Sequence, residues 1–142
     1  MYQKKLVKKK TKNAAQKNYK MYSYKIKLDR VIDCDTIDAE IDLGFNVSIK
    51  KRIRFAGINT PESRTRDLEE KARGLAAKER LKDILEGANT IQLNSHGVGK
   101  YGRCLGELHV DVVDGKDFLT LVNVNELLIK EGHAVEYDGG KR

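Results

Sequence analysis

Four short clusters in this chain hold residue types able to do chemistry. Asp33-Cys34-Asp35-Thr36 puts two carboxylates one residue apart, which suits a hard cation such as calcium or magnesium. The aspartyl phosphatase pattern is excluded, because it needs Thr at position 37 where Ile37 stands. Arg54 sits alone on the polar side of an alternating segment. Asn59-Thr60-Pro61-Glu62 follows it, with Gly57 and Pro61 defining a loop and Glu62 available as a general base. Lys100-Tyr101-Gly102-Arg103 closes a glycine-bearing stretch. Arg matches a phosphate bidentately, and Tyr offers a stacking face. Taken singly, each cluster has a commoner use. They are an Asx turn, a solvated strand charge, an acid preceding a helix, and a basic loop at the foot of a strand.

Three strands must position the first three clusters. Tyr24, Ile26, Leu28 and Ile32 alternate with polar residues, as do Ile37, Ala39, Ile41 and Leu43, and Val47, Ile49, Ile53 and Phe55. Period two of this kind predicts half-buried strands, and their tight connections predict an antiparallel meander. Only Lys51 breaks the apolar phase. From Asp67 to Leu85 the chain is rich in Leu, Ala, Glu, Lys and Arg, which predicts a helix. Leu68, Ala72, Leu75 and Ala76 share one face of it, and Leu81 and Ile84 fall on another. Gly74 suits a kink or close packing. A strand through Ile91 and Leu93, a loop from Ser95 to Gly102, and a strand through Leu108, Val110 and Val112 follow. Asp114-Gly115 signals a hairpin. Asn123 with Glu126 caps a second helix whose apolar face is Val124, Leu127 and Leu128, with Gly132 at its end. The order of elements predicts a mainly β fold with helices, a small Greek-key barrel of the kind that binds oligonucleotides.

The net charge of +7 over 142 residues points to a polyanionic partner such as nucleic acid. Its distribution is uneven. Residues 1–20 hold 8 Lys and no acid, so the remaining 20 bases and 21 acids leave the body at −1. The Lys-rich segment 1–20 is expected to be a disordered tail, serving as a solubilising arm or a phosphate tether, and 21–142 the folded domain. A start at Met21 would keep that domain whole. No stretch approaches the ~18–20 apolar residues of a membrane span, and no secretory pattern is visible. Two cysteines, Cys34 and Cys104, without metal-ligand spacing, read as reduced thiols of a cytoplasmic protein. His96, His109 and His133 are scattered without ligand spacing.

Taken together, the clusters are more specific. Asp-x-Asp-Thr, then Arg with a loop ending Thr-Pro-Glu, then Tyr-Gly-Arg, then Val-Asn-Glu-x-Leu resembles the staphylococcal nuclease (thermonuclease-like) family over roughly Tyr24 to Tyr137. The resemblance implies a five-stranded oligonucleotide-binding barrel packed with helices. It also implies a monomeric, calcium-dependent nuclease acting on DNA and RNA with little sequence preference. By the same resemblance, one calcium ion is held by Asp35, Asn59 and the Thr60 carbonyl, with Asp33 nearby. Arg54 and Arg103 clamp the phosphate, Glu62 activates water, and Lys100 and Tyr101 flank the nucleotide.

The chain departs from the family pattern in four places. Asn59 stands where a second ligating aspartate is expected, which removes one negative charge and predicts weaker metal binding. Cys34 replaces a glycine, Gly99 replaces an aspartate, and the Ser63–Asp67 loop is short. The alternative is a barrel that binds single-stranded nucleic acid without turnover, its metal site decayed. The retention of Asp35, Arg54, Glu62 and Arg103 favours the enzyme.

Overall fold

The alternation in the first third of the chain is realised as a meander of three long strands, β1 (Tyr22–Asp33), β2 (Thr36–Gly44) and β3 (Val47–Phe55). The computed structural model describes residues 22–113 and 119–138. The Lys-rich stretch 1–20 and the Asp114-Gly115 hairpin signal lie outside them. β1 pairs antiparallel with β2, and β2 with β3, in the register Ile26↔Ile41 and Ile37↔Ile53. Partners across an antiparallel pair point to the same side. One face therefore gathers Ile37, Ala39, Ile41 and Ile53, all buried.

After the two-residue strand β4 (Ile58–Asn59) comes α1 (Leu68–Glu86), then β5 (Thr90–Val98), a turn at Lys100–Gly102, and β6 (Cys104–Val113). β7 (Leu119–Asn123), α2 (Val124–Lys130) and β8 (Val135–Glu136) complete the described chain. β5 joins β1 on one side and β6 on the other, both antiparallel. β6 then pairs in parallel with β3, as Ile53↔Cys104, Arg54↔Leu105 and Phe55↔Gly106. That pairing closes β1, β2, β3, β5 and β6 into a five-stranded barrel, and β7 extends β6 outside it. Closure removes the sheet edges and sets the end of β3 beside the start of β6.

The core is continuous from barrel to helices. Phe55, Ile37, Ile53, Leu93, Leu108 and Val110 from the strands meet Leu81 from α1 and Val124 and Leu128 from α2, all essentially inaccessible. Each such side chain contributes about 1.5–3 kcal/mol by leaving water. Asp67 caps α1 by accepting from the Glu69 and Glu70 amides, and Asn123 caps α2 by accepting from that of Glu126. Both offset orphan N–H groups of a first turn. Among the described residues no helix is long and apolar enough to cross a membrane.

Three expectations differ from what is observed. Where β2 turns into β3, Leu43, Val47 and Ile49 are exposed and not half-buried, because burial there begins only at Ile41 and Ile53. The face that α1 buries is Gly74, Ala77, Leu81, Ile84 and Leu85, whereas Leu68 and Leu75 are exposed. The buried stripe begins on Gly74 because the Glu62–Ser63 backbone lies against it. The Ser95–Gly102 stretch is not one loop, since β5 continues through Val98 by pairing Val98 with Cys104. A register shift between Ser95 and Gly97 absorbs the glycine.

Candidate active site

The tight β1–β2 turn carries Asp35, which is 7% exposed. Its carbonyl accepts from the Phe55 amide at 2.8 Å, tying the turn to the end of β3. Its carboxylate accepts from Thr36 Oγ1 at 2.9 Å through Oδ1 and from the Thr60 amide at 3.2 Å through Oδ2. Asp35, Thr36 and Thr60 thus meet although 25 residues separate Asp35 from Thr60.

Arg54 lies over the turn that follows β3, its side chain 13% exposed. Nη1 donates to the Phe55 carbonyl at 2.8 Å, and Nη2 to the Ile58 carbonyl at 2.9 Å and to Asn59 Oδ1 at 3.4 Å. Nη2 also stands 3.5 Å from Asp35 Oδ2. One guanidinium therefore braces a turn whose Gly57, at φ +78°, occupies the left-handed region that favours glycine. Charge and geometry support each other here, because carboxylate and guanidinium share a largely water-excluded place.

Arg103 immediately precedes β6, so the parallel β3–β6 pairing brings it to the same barrel end as Arg54. Both arginines line one cavity of about 550 Å³, together with Gly57, His96, Leu105 and Tyr137. Arg103 Nε is buried and has no hydrogen-bond partner among the described residues. A buried donor left open costs free energy unless a ligand or water satisfies it, and in a cavity with two guanidinium groups an anion does so best. The Arg103 guanidinium carbon lies 5.9 Å from the centroid of the Tyr101 ring, within cation–π range. Tyr101 itself is 92% exposed and adopts φ +66°, an uncommon conformation for a non-glycine residue. The Lys100 backbone belongs to the same turn.

Glu62 is exposed and lines a second hollow of about 560 Å³ with Asn59, Thr60, Glu70, Arg73 and His133. Asn59 and Thr60 face it from the side that also meets Arg54 and Asp35. The Glu62 hollow and the two-arginine cavity are thus adjoining features, not one pocket. Asp33 does not turn to Asp35. Its Oδ1 accepts from the Ser63 hydroxyl in a short bond and from the Ser63 amide at 3.4 Å.

The oxygen donors suit a hard cation. Asp35 Oδ2 and Asn59 Oδ1 both lie within 3.5 Å of the same nitrogen, Arg54 Nη2, and Asp35 Oδ2 also meets the Thr60 amide. The set holds one carboxylate beside a guanidinium, and among the described residues no three His, Cys, Asp or Glu side chains cluster as a metal group. Such a set offers two hard oxygen donors and one negative charge, fewer than the roughly six to eight oxygens calcium usually takes. Cys34 beside it is buried, and its thiol is pushed up to about 12 by burial first and then by Asp35, Asp33 and Glu131. It is an unreactive packing residue.

His96 and Tyr137 line the two-arginine cavity without having stood out in the sequence. Tyr137 arrives because its amide donates to the Gly57 carbonyl at 2.9 Å and β8 pairs with β4. Asn125 is fully internal. Its Nδ2 donates to the Ala56 carbonyl at 2.8 Å and its Oδ1 accepts from the Leu108 amide at 3.2 Å. The Val-Asn-Glu-x-Leu segment therefore fastens α2 to the cavity floor.

One end of the closed five-stranded barrel thus carries two arginines, an internal carboxylate and an exposed aromatic. The chain belongs to the staphylococcal nuclease family, whose sequence model, described as "Staphylococcal nuclease homologue", matches residues 52–141. It is also similar to a protein named micrococcal nuclease from Shigella flexneri, 32% identical over 108 residues, which are 76% of this chain and 55% of that relative. The chain thus spans about half the length of the curated relative it matches.

Proposed function

We propose that this protein is a calcium-dependent nuclease that hydrolyses phosphodiester bonds of DNA or RNA with little sequence preference. The observation that carries the proposal is the cavity lined by both Arg54 and Arg103, with a buried, open donor on Arg103. Arg103 and Arg54 hold non-bridging oxygens of the scissile phosphate and the charge that develops on them. Glu62 accepts a proton from the attacking water, whose oxygen bonds to phosphorus. The bond from phosphorus to the 5′ oxygen breaks. That oxygen leaves as the alcohol, with a proton from solvent, and the 3′ side keeps the phosphate. Tyr101 offers a stacking face to a neighbouring base, and Lys100 adds charge. Contacts to phosphate and to ring faces carry no base code, which accounts for low sequence preference. When bound to Asp35, Asn59 and the Thr60 carbonyl, calcium supplies further positive charge to a phosphate oxygen.

The test is cleavage of an end-labelled single-stranded DNA and its RNA counterpart with calcium and with chelator. The expected result is chelator-sensitive shortening with 3′-phosphate products. Tight binding without cleavage in either condition would instead make the chain a binding module.

A further inference from the structure

Glycine is the poorest helix former after proline, yet Gly74 stands inside α1 and is buried there. A Cβ at this position would lie 2.4 Å from the Glu62 carbonyl oxygen, 2.6 Å from its carbon and 2.8 Å from the Ser63 nitrogen. All three are backbone atoms, so no side-chain rotation relieves the clash. The Glu62–Ser63 peptide therefore lies directly on the helix. Further hydrogen bonds hold the two residues this peptide joins. The Glu62 amide donates to Glu70 Oε1 at 3.3 Å, one turn before Gly74. Ser63 is buried, and its hydroxyl and amide both donate to Asp33 Oδ1 at the end of β1. Only residues 64–66 separate this peptide from the helix cap Asp67, so the loop has little slack.

We propose that Gly74, Ser63 and Asp33 are positioning residues that clamp the Glu62 peptide between α1 and the barrel. In this arrangement Asp33 serves as a hydrogen-bond acceptor for Ser63 and not as a metal ligand. The inference rests on the reading of Glu62 as the residue that activates water. Because the two-arginine cavity is lined by other residues, loosening the clamp misplaces the base while phosphate binding persists. A displacement of about 1 Å in a reacting group costs up to ~100-fold in rate.

The test compares wild type, Glu62→Gln, Gly74→Ala, Asp33→Ala and Asp33→Asn by steady-state cleavage. Amide hydrogen exchange at Glu62 and Ser63 is measured alongside on the calcium-free protein. Gly74→Ala and Asp33→Ala are expected to lower kcat by ~10–100-fold, with KM and the half-saturating calcium nearly unchanged. Asp33→Asn keeps the Oδ1 acceptor and is expected to restore most of the rate. Exchange at Ser63 should quicken in Asp33→Ala and stay slow in Asp33→Asn. An Asp33→Asn protein as slow as Asp33→Ala, with raised half-saturating calcium, would overturn the assignment and make Asp33 a charge near the cation. Folded Gly74→Ala and Asp33→Ala proteins with wild-type kcat would also overturn it. A wild type that does not cleave, or a fully active Glu62→Gln, would instead remove the parent reading. Should Gly74→Ala fail to fold, the Asp33 pair decides alone.

Discussion

The two halves of this barrel end are built on opposite plans. On the β1–β2 side, Asp35, Arg54 and Asn59 all bond within the protein. The carboxylate meets Thr36 and Thr60, and the guanidinium meets two carbonyls and an amide. On the β5–β6 side, Tyr101 stands in solvent with a left-handed backbone and Arg103 keeps a buried donor open. The first half is tied into the barrel by its own hydrogen bonds, and the second presents its polar and aromatic groups towards the cavity and solvent. A polar group that is already satisfied contributes to stability, whereas a buried one without a protein partner is met by water or by a ligand.

The sharpest way to break this contrast is to remove each arginine. Arg103→Ala should lower kcat by at least ~100-fold, the scale of losing one electrostatic donor, with the melting temperature nearly unchanged. Arg54→Ala should lose comparable activity and also melt several degrees lower, because it strips the brace from the Gly57 turn and leaves Asp35 without its cation. Parallel kcat and melting measurements separate the two. Equal melting temperatures for both variants would erase the distinction between the halves.

A smaller effect tests the closed half through its charge. Asn59→Asp gives the donor set a second carboxylate and should lower the half-saturating calcium by ~10-fold, measured as cleavage against calcium concentration. An unchanged value would take residue 59 out of the cation site. The thiols sharpen the same contrast without assaying catalysis. Cys34, with its thiol pushed up to about 12, should resist alkylation of the native protein near neutral pH. Cys104, partly accessible, should react. Mass mapping of modified peptides reads this directly.

The smallest effect lies outside the site, on the barrel wall. Asp38 accepts from Arg52 at 2.8 Å and from Arg30 at 2.9 Å. The Arg52 hydrogen bond leads in holding its carboxyl at about 2, against an ordinary 3.8. A carboxyl depressed in the folded state stabilises above its unfolded pKa, and that stabilisation is lost as pH falls through the folded value. The melting temperature should therefore drop as pH falls from about 4 towards 2, and less so in Asp38→Asn. Because these partners are partly solvated, the pair is worth under about 1 kcal/mol.

Much of the barrel could be read in the chain because interior and exterior alternate strictly along β2, from Ile37 to Ile41. The buried face of α1 could not. Its stripe begins on Gly74, against which the Glu62–Ser63 peptide lies, and includes Ala77, and small residues carry little hydrophobic signal. β5 ran past its expected end because pairing of Val98 with Cys104 outweighs the loop preference of Gly97. Asp35, Arg54, Glu62 and Arg103 stood out as chemical types beside turn residues. Tyr137 and His96 did not, since only chain closure brings them to the cavity, Tyr137 through a bond to Gly57 some 80 residues away. The partnership of Asp33 with Ser63 likewise depends on a tertiary contact across 30 residues.

The central claim is that this barrel end holds a phosphodiester for hydrolysis, with Arg103 waiting for the phosphate. Single-turnover cleavage of a short labelled DNA strand, by wild type and by a folded Arg103→Ala protein at saturating calcium, tests it most directly. The account predicts chelator-sensitive cleavage by the wild type and a rate at least ~100-fold lower in the variant. Equal rates in the two proteins, or no cleavage by the wild type, would contradict it.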